Sequence, residues 1–549
     1  MAASIAAAQD LVRLFAGWGL AYLDSLIRID SSSDERSGTV PSTPGQLALL
    51  DFLREVLGGF GYQCETDASG ALLAHVGANL PAGSTCPPVA FITHIDNSLG
   101  TVCPERLTRV ERWDGSRLAY PGNQRLNVSV AAYPALQAFV GHDVLHGPGT
   151  GPVGLDDKLG VAEVLTLARY LAEHPEIRHG TIVLCFRPDE EIGRDEAVQS
   201  LARRLAELGV TRAYTVDGHT AFEVSTVCFN ASEMAIRVPA PPLHLTDSVG
   251  EPQFRCARTM RLRIQGVRTH GATAKAEGYR NAVRIFTAVM SRMSSWQHVV
   301  PVEFTTDPAD ETAADVTMLI RGRDESELDR WQSIFVTQLG QEVAPHAERG
   351  AGQEVMGTAA VAPTDGQGFS DGLRKIITII VLFQNTPSAR PLFSEDSEGW
   401  EGYSNPFTIT RDGDHWIVRF RLRDFDPRDL ARREDHVQRV AHFSGLPEEA
   451  VHHRPQYRDI SPRLESYPEL VAWAEAAAER ISASIQRHPI RGGTGVGPFL
   501  DAGIGVANLG TGYHGLESPT ELTSLEMIGR HAEWLVALVE VVAAVRTGS

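Results

Sequence analysis

The sequence predicts an α/β fold interrupted by an inserted α+β domain. Three observations carry this. Short β-branched apolar runs, at 89–93, 181–186, 212–216 and 504–509, have the length of buried strands rather than helices. Helical stretches separate them, as in a sheet covered by helices. From about 233 the character changes, and runs such as Met260–Ile264 alternate with helices in a different rhythm. The chain has 549 residues, too many for one ordinary core, so two or three domains are expected. The expected division is 1–232 with 464–549, and an insertion at 233–463.

Composition narrows the class. The net charge of -19 argues against a nucleic-acid or anionic-membrane surface and fits a site that collects cations. The six cysteines are scattered with no C-x-x-C pair, so thiolate metal or redox motifs are not expected. Reduced thiols in a cytoplasm are the simplest account. No secretory apolar segment and no run of roughly 18 apolar residues is present.

In chain order, residues 5–29 read as an amphipathic helix and 46–58 as another, stopping at Gly58-Gly59. A hairpin follows, 62–66 and 71–76, around Asp67-Ala68-Ser69-Gly70. The strand at 89–93 runs into His94-Ile95-Asp96. An H-x-D there lets the histidine bind a metal while the acid orients the ring from behind, although alone the pattern more often marks a structural or surface histidine. Gly154-Leu155-Asp156-Asp157-Lys158 opens a helix to about 173, where acids are also stabilised by the helix dipole alone. The strand at 181–186 ends in Arg187-Pro188-Asp189-Glu190-Glu191-Ile192-Gly193. Adjacent carboxylates at a strand's carboxyl end call for a cation or a shared proton between them. A helix at 195–208 and a strand at 212–216 deliver Asp217.

In the insertion, His270 stands at a strand–helix turn before a helix at 278–294. Residues 317–328 parallel 419–430: each is a strand ending in Arg, with an Asp three residues on and a helix after it. That suggests an internal repeat, about 255–345 and 360–463. A helix at 467–484 then precedes the glycine-rich turn Arg491-Gly492-Gly493-Thr494-Gly495, which lacks the lysine of a phosphate loop. The strand at 504–509 delivers Tyr513-His514-Gly515, and a helix at 523–546 closes the chain.

The candidate ligands are His94, Asp156, Glu191, Asp217 and His514. Two histidines and three carboxylates suit two borderline divalent ions such as Zn2+, if one carboxylate bridges, with Co2+ or Mn2+ as substitutes. Two neighbouring ions polarise a carbonyl and lower the pKa of a shared water. Glu190 is the acid left over, free to carry the water's proton.

These motifs, with Thr93-His94-Ile95-Asp96, Thr215-Val216-Asp217-Gly218, His270–Lys275, Leu422-Arg423-Asp424 and Arg491-Gly492-Gly493-Thr494, resemble the co-catalytic dinuclear zinc exopeptidases. That family includes peptidase T, carboxypeptidase G2 and dinuclear dipeptidases, and the likeness is greatest to its peptidase T-like members. The resemblance implies a mixed sheet flanked by helices, an inserted lid domain that is enlarged or duplicated here, and release of the N-terminal residue from short peptides, above all tripeptides. It implies that Asp156 bridges two zinc ions, His94 and Asp217 completing one and Glu191 and His514 the other. Asp96 would orient His94, and Glu190 would be general base and then acid. A cis peptide is implied at Asp156–Asp157. His270 would donate to the oxyanion, and Arg423 and Arg491 would hold the substrate carboxylate. A duplicated lid implies either a monomer with a pseudo-dimeric lid or a homodimer.

Departures from the family pattern are Gly495 in place of an Asp, a longer loop at Gly515–Glu521, and extra lid residues at about 296–390. They touch no expected ligand but bear on substrate choice. The competing readings are a dipeptidase or N-acyl-amino-acid amidohydrolase on the same metal core, and a non-catalytic binding homologue.

Overall fold

The computed structural model describes residues 2–81, 86–240, 254–361, 371–385, 402–493 and 495–545. The chain divides into two compact units, 1–228 with 459–549, and 229–458. Each is described on its own.

The first unit is built on a seven-stranded sheet. Its strands are β1 (Gln63–Thr66), β2 (Leu72–Val76), β3 (Val89–His94), β4 (Ile182–Arg187), β5 (Arg212–Gly218), β6 (Val224–Ser225) and β7 (Gly505–Gly510), in the order β1-β2-β4-β3-β5-β7-β6. The central run β4-β3-β5-β7 is parallel, and β2 and β6 flank it antiparallel. Strands β3, β4 and β7 are buried at every position, which explains their unbroken apolar runs. The expected hairpin forms: Asp67 Oδ1 accepts the amides of Ser69 and Ala71, each at 2.9 Å, and Gly70 supplies a φ of 85°.

The longer helices of this unit are α1 (Ala2–Leu26), α2 (Pro44–Gly59), α3 (Leu155–Glu173), α4 (Asp195–Glu207), α5 (Glu469–Arg480) and α6 (Leu525–Ala543). Helices α3 and α6 carry fully buried faces (Leu159, Leu165, Ile528, Trp534, Leu538) that join the sheet in one core. The first residues of α3 depart from helical geometry: Asp156 has φ -84°, ψ 107°, and the Asp156–Asp157 peptide is cis, as the resemblance implied.

The second unit contains two four-stranded antiparallel sheets of one design. The first orders its strands Val299–Asp307, Asp310–Gly322, Cys256–Gln265, Gly352–Val361; the second, Tyr403–Asp412, His415–Asp424, Asn230–Pro239, Val451–Tyr457. In chain order, the short helix Gly271–Ala276 aside, each set runs strand, helix, strand, strand, helix, strand. The helices are Ala282–Arg292 and Glu325–Val343 in one set, Asp371–Asn385 and Pro427–Phe443 in the other. The paired motifs at 317–328 and 419–430 fall at equivalent places, where the third strand gives way to a helix. There Asp324 accepts the amide of Glu327 and Asp426 that of Arg428, as N-caps. One boundary differs from expectation. The second sheet takes its opening strand from Asn230–Pro239, ahead of the first set in the chain, so a second copy drawn as 360–463 omits it.

Among the described residues no helix is long and apolar enough to cross a membrane.

Candidate metal centre

The parallel strands bring chemistry to one edge. β3 ends on His94, β5 carries Asp217 near its end, and the loop after β4 carries Asp189, Glu190 and Glu191. The carboxyl edge of parallel strands is where open α/β sheets hold ligands. His94 is 2 % exposed. Its Nε2 lies 2.8 Å from Asp156 Oδ1 and 3.4 Å from Asp217 Oδ1. Its Nδ1 lies 3.0 Å from the Asp96 carbonyl oxygen and 3.4 Å from the Asp96 carboxylate. Burial alone would depress His94, but the Asp217, Asp156 and Asp96 carboxylates push it well above the usual imidazole range.

Asp96 does more than face a histidine. Its fully buried carboxylate accepts the Glu190 amide at 2.9 Å and the Glu191 amide at 3.0 Å. Burial opposes ionisation, yet His94 and the Glu190 amide hold Asp96 below its ordinary value. A second anchor sits on the far side of the same loop. Asp189, with φ 57°, accepts from Ser42 Oγ at 2.5 Å and Gln46 Nε2 at 2.7 Å, and its amide donates to Gln46 Oε1 at 3.1 Å. Glu190 and Glu191 are thus fixed from both sides.

Two sets of three ligand atoms fall within 4.8 Å of one another among the described residues: His94, Asp156 and Asp217, and Asp156, Glu191 and Glu517. Asp156 belongs to both, as a bridging acid must. Glu191 is pushed well above its ordinary value by burial, then by Glu517 and Asp156; Asp156 is raised by burial, then by Asp217. Glu191 Oε1 is buried with no hydrogen-bond partner. Converging carboxylates, one imidazole and an unsatisfied buried oxygen fit divalent cations held by nitrogen and oxygen.

Glu190 stands outside both sets. Its Oε1 accepts from Arg187 Nη2 at 3.1 Å, and Arg187 is 1 % exposed beneath it. A Cβ at Gly495 would come within 2.6 Å of Arg187 Nη1. The glycine that replaces the family's Asp is therefore the residue that leaves Arg187 room.

His514 lies outside both sets. Its backbone exchanges hydrogen bonds with Leu522 at 2.9 and 3.0 Å, and its ring meets Tyr133 edge-on at 5.0 Å between centroids. The residue of that loop found with Asp156 and Glu191 is Glu517, which the sequence reading passed over. The only signal available was an acid in an unusually long loop after an expected ligand. Glu521 was also missed. Its Oε2 accepts the amides of Val153 at 2.7 Å, Gly154 at 2.9 Å and Leu155 at 3.3 Å, so the same loop fastens the start of α3, where Asp156 sits.

Arg491 is partly buried in its turn, and Thr494 lies outside the described residues. His270 and Arg423 belong to the second unit. His270 Nδ1 accepts the Ala272 amide at 3.3 Å, capping a short helix, Gly271–Ala276. Arg423 is 7 % exposed, donates to the carbonyls of Ser232 at 3.2 Å and Leu422 at 3.0 Å, and lies over the Tyr457 ring at 5.3 Å.

An edge of this kind, with a carboxylate shared between two ligand sets, offers donors for a pair of metal ions, and residues 133–541 match Peptidase family M20/M25/M40. The chain belongs to that family. It is 35% identical over 222 residues to peptidase T of Geobacillus thermodenitrificans, covering 40% of this chain and 52% of that protein. It is 38% identical over 221 residues to peptidase T of Desulfitobacterium hafniense, covering 39% and 52%. The chain thus spans about half the length of the curated relatives it matches. Its fold is that of a tripeptidase from Staphylococcus aureus, with TM-score 0.50 and 14% identity over 96% of this chain and 98% of that one. Human carnosine dipeptidase 1 gives TM-score 0.50 and 11% identity over 98% and 99%.

Proposed function

We propose that this chain is a metal-dependent exopeptidase that releases the N-terminal residue from short peptides, tripeptides above all. The observation that supports it most is the sharing of Asp156 by two ligand sets while Glu190 stands outside both. Two zinc ions, with Co2+ or Mn2+ able to substitute, would supply Lewis acidity to the scissile carbonyl and acidify the attacking water. His94 and Asp217 would hold one ion, Glu191 and His514 the other, and Asp156 both. Asp96 fixes the His94 ring and the amides of the Glu190-Glu191 loop. Glu190 takes the proton of the attacking water and returns it to the leaving amine, with Arg187 steadying its carboxylate. Oxyanion donation by His270 and carboxylate capture by Arg423 and Arg491 rest on the motif resemblance.

Six free cysteines suit a reducing cytoplasm. The two like-built sheets of the second unit support a monomer whose lid carries both halves of what a dimer would otherwise supply. A dimer by light scattering would count against that.

The test is product analysis of the zinc-loaded chain on tripeptides, dipeptides, longer peptides and N-acyl amino acids, beside a Glu190→Ala control. Loss of the N-terminal residue from tripeptides alone supports the proposal. Turnover confined to dipeptides or acyl amino acids would keep the metal core and replace the substrate. No turnover with metal bound would favour a binding homologue.

A further inference from the structure

We propose that Glu517 is a protein ligand of the second ion, so that three carboxylates, those of Asp156, Glu191 and Glu517, converge on it. This rests on the two-ion reading of the centre.

The loop that carries Glu517 is built to present it. It is pinned at its base by the paired backbone bonds between His514 and Leu522, and by the Glu521 carboxylate on the start of α3. Between those points it is tightly folded. The Ser518 amide donates to the Gly515 carbonyl at 3.0 Å and Ser518 Oγ to the same oxygen at 2.7 Å, while the Thr520 amide donates to Ser518 Oγ at 3.1 Å. A Cβ at Gly515 would come within 2.7 Å of Thr520 Oγ1. Glu517, at the turn with φ 52°, brings a carboxylate oxygen within 4.8 Å of ligand atoms of both Asp156 and Glu191.

An independent observation points to a cation there: Glu191 Oε1 is buried and accepts no hydrogen bond. Three carboxylates placed this close repel one another unless an ion or a shared proton lies among them. With His514 completing it, the second position has three carboxylates to one imidazole, against two carboxylates, those of Asp156 and Asp217, and one imidazole at the first. Carboxylate donors suit hard ions, so the second position should be the more tolerant of Mn2+.

The experiment is a chelator-competition titration of the full metal-free chain with Zn2+ and, separately, Mn2+, counting ions and their affinities. It compares wild type, Glu517→Gln, and Glu517→Asn, the last because asparagine accepts a left-handed backbone. Thermal melting confirms that each is folded. Wild type should bind two ions. Both variants should keep the first at wild-type affinity and bind the second at least about tenfold more weakly, with the larger loss for Mn2+. Two ions bound by the variants with affinities within about twofold of wild type would overturn the role of Glu517 and leave the two-ion reading standing. A raised KM for peptides with a free N-terminal amine beside unchanged metal affinity would overturn it too, moving Glu517 onto the substrate's ammonium group. Wild type that takes one ion only would overturn both readings together.

Discussion

Replacing Glu521 by alanine tests whether the loop after His514 holds the start of α3. The opening amides of a helix have no partner within it. Around the start of α3 that partner is Glu521: its Oε2 accepts from Val153, from the N-cap Gly154 and from Leu155 at 2.7, 2.9 and 3.3 Å. Val153 is 1 % exposed and Leu155 fully buried, so water does not readily replace the lost acceptor. A buried amide left unsatisfied costs about 1–3 kcal/mol. Two short bonds and one long one give about 3 kcal/mol for Glu521→Ala. Hydrogen exchange at those three amides should then quicken by about a hundredfold, since about 1.4 kcal/mol is a factor of ten. Burial pushes Glu521 up to about 8 despite its three donors, so it is mostly protonated at pH 7 and its acceptor is a neutral oxygen. Glu521→Gln should therefore keep most of the stability there. The folded value lies above the unfolded one, so this group's contribution is complete below about pH 4.5 and is lost as pH rises through about 8. The glutamine variant should gain on wild type over that interval. Unchanged exchange in the alanine variant, or a glutamine variant as damaged as alanine at pH 7, would refute the reasoning.

Asp96→Asn keeps one acceptor oxygen but sets an amide group against one of the two N–H donors of the Glu190-Glu191 loop. It should weaken metal binding by about 10–100-fold in chelator competition, and unaltered affinity would show that the loop does not depend on it. Gly495→Ala, at φ 58° and against Arg187 Nη1, should displace the guanidinium that holds Glu190, lowering kcat more than KM; a variant with wild-type kcat would count against that linkage. His531 accepts the Phe222 amide at 3.0 Å and is pushed down to about 3 by burial, so its contribution to stability is present above about pH 6.5 and is lost as pH falls toward 3. In metal-free urea unfolding, His531→Gln should reduce the acid slope by up to about 1.4 kcal/mol per pH unit, and an identical slope in both proteins would refute the assignment.

The first unit was legible wherever periodicity and burial coincide. The strands that end on His94, near Asp217 and before Asp189 were read to within two residues, because buried parallel strands leave unbroken apolar runs. The hairpin at Asp67–Gly70 was legible because its turn chemistry is local. The second unit was harder. Its repeat showed only at 317–328 and 419–430, where a strand, an N-cap aspartate and a helix fall in fixed succession. The opening strand of the second sheet, Asn230–Pro239, was assigned to no repeat, because its pairing with His415–Asp424 spans an entire inserted set. Sequence proximity carries no information about such a pairing.

The same distinction divides the site. Residues delivered by strand ends could be named from sequence, since the strand fixes where its last side chain stands. Residues delivered by loops could not. Asp189 reads as one more acid in an acidic run, yet its partners, Ser42 and Gln46, lie more than a hundred positions away. Glu521 reads as a loop acid, yet it serves amides that precede it by 366 to 368 positions. Glu517 depends on a turn closed by bonds among Gly515, Ser518 and Thr520 and on a base fastened to α3. What the motifs identify is the chemistry, and what the long-range anchors determine is whether that chemistry is held within reach of an ion. Substitutions at Asp189 and Glu521 therefore probe the centre more selectively than removal of a ligand, because they change where the carboxylates stand without changing those at Asp156, Asp217 and Glu191.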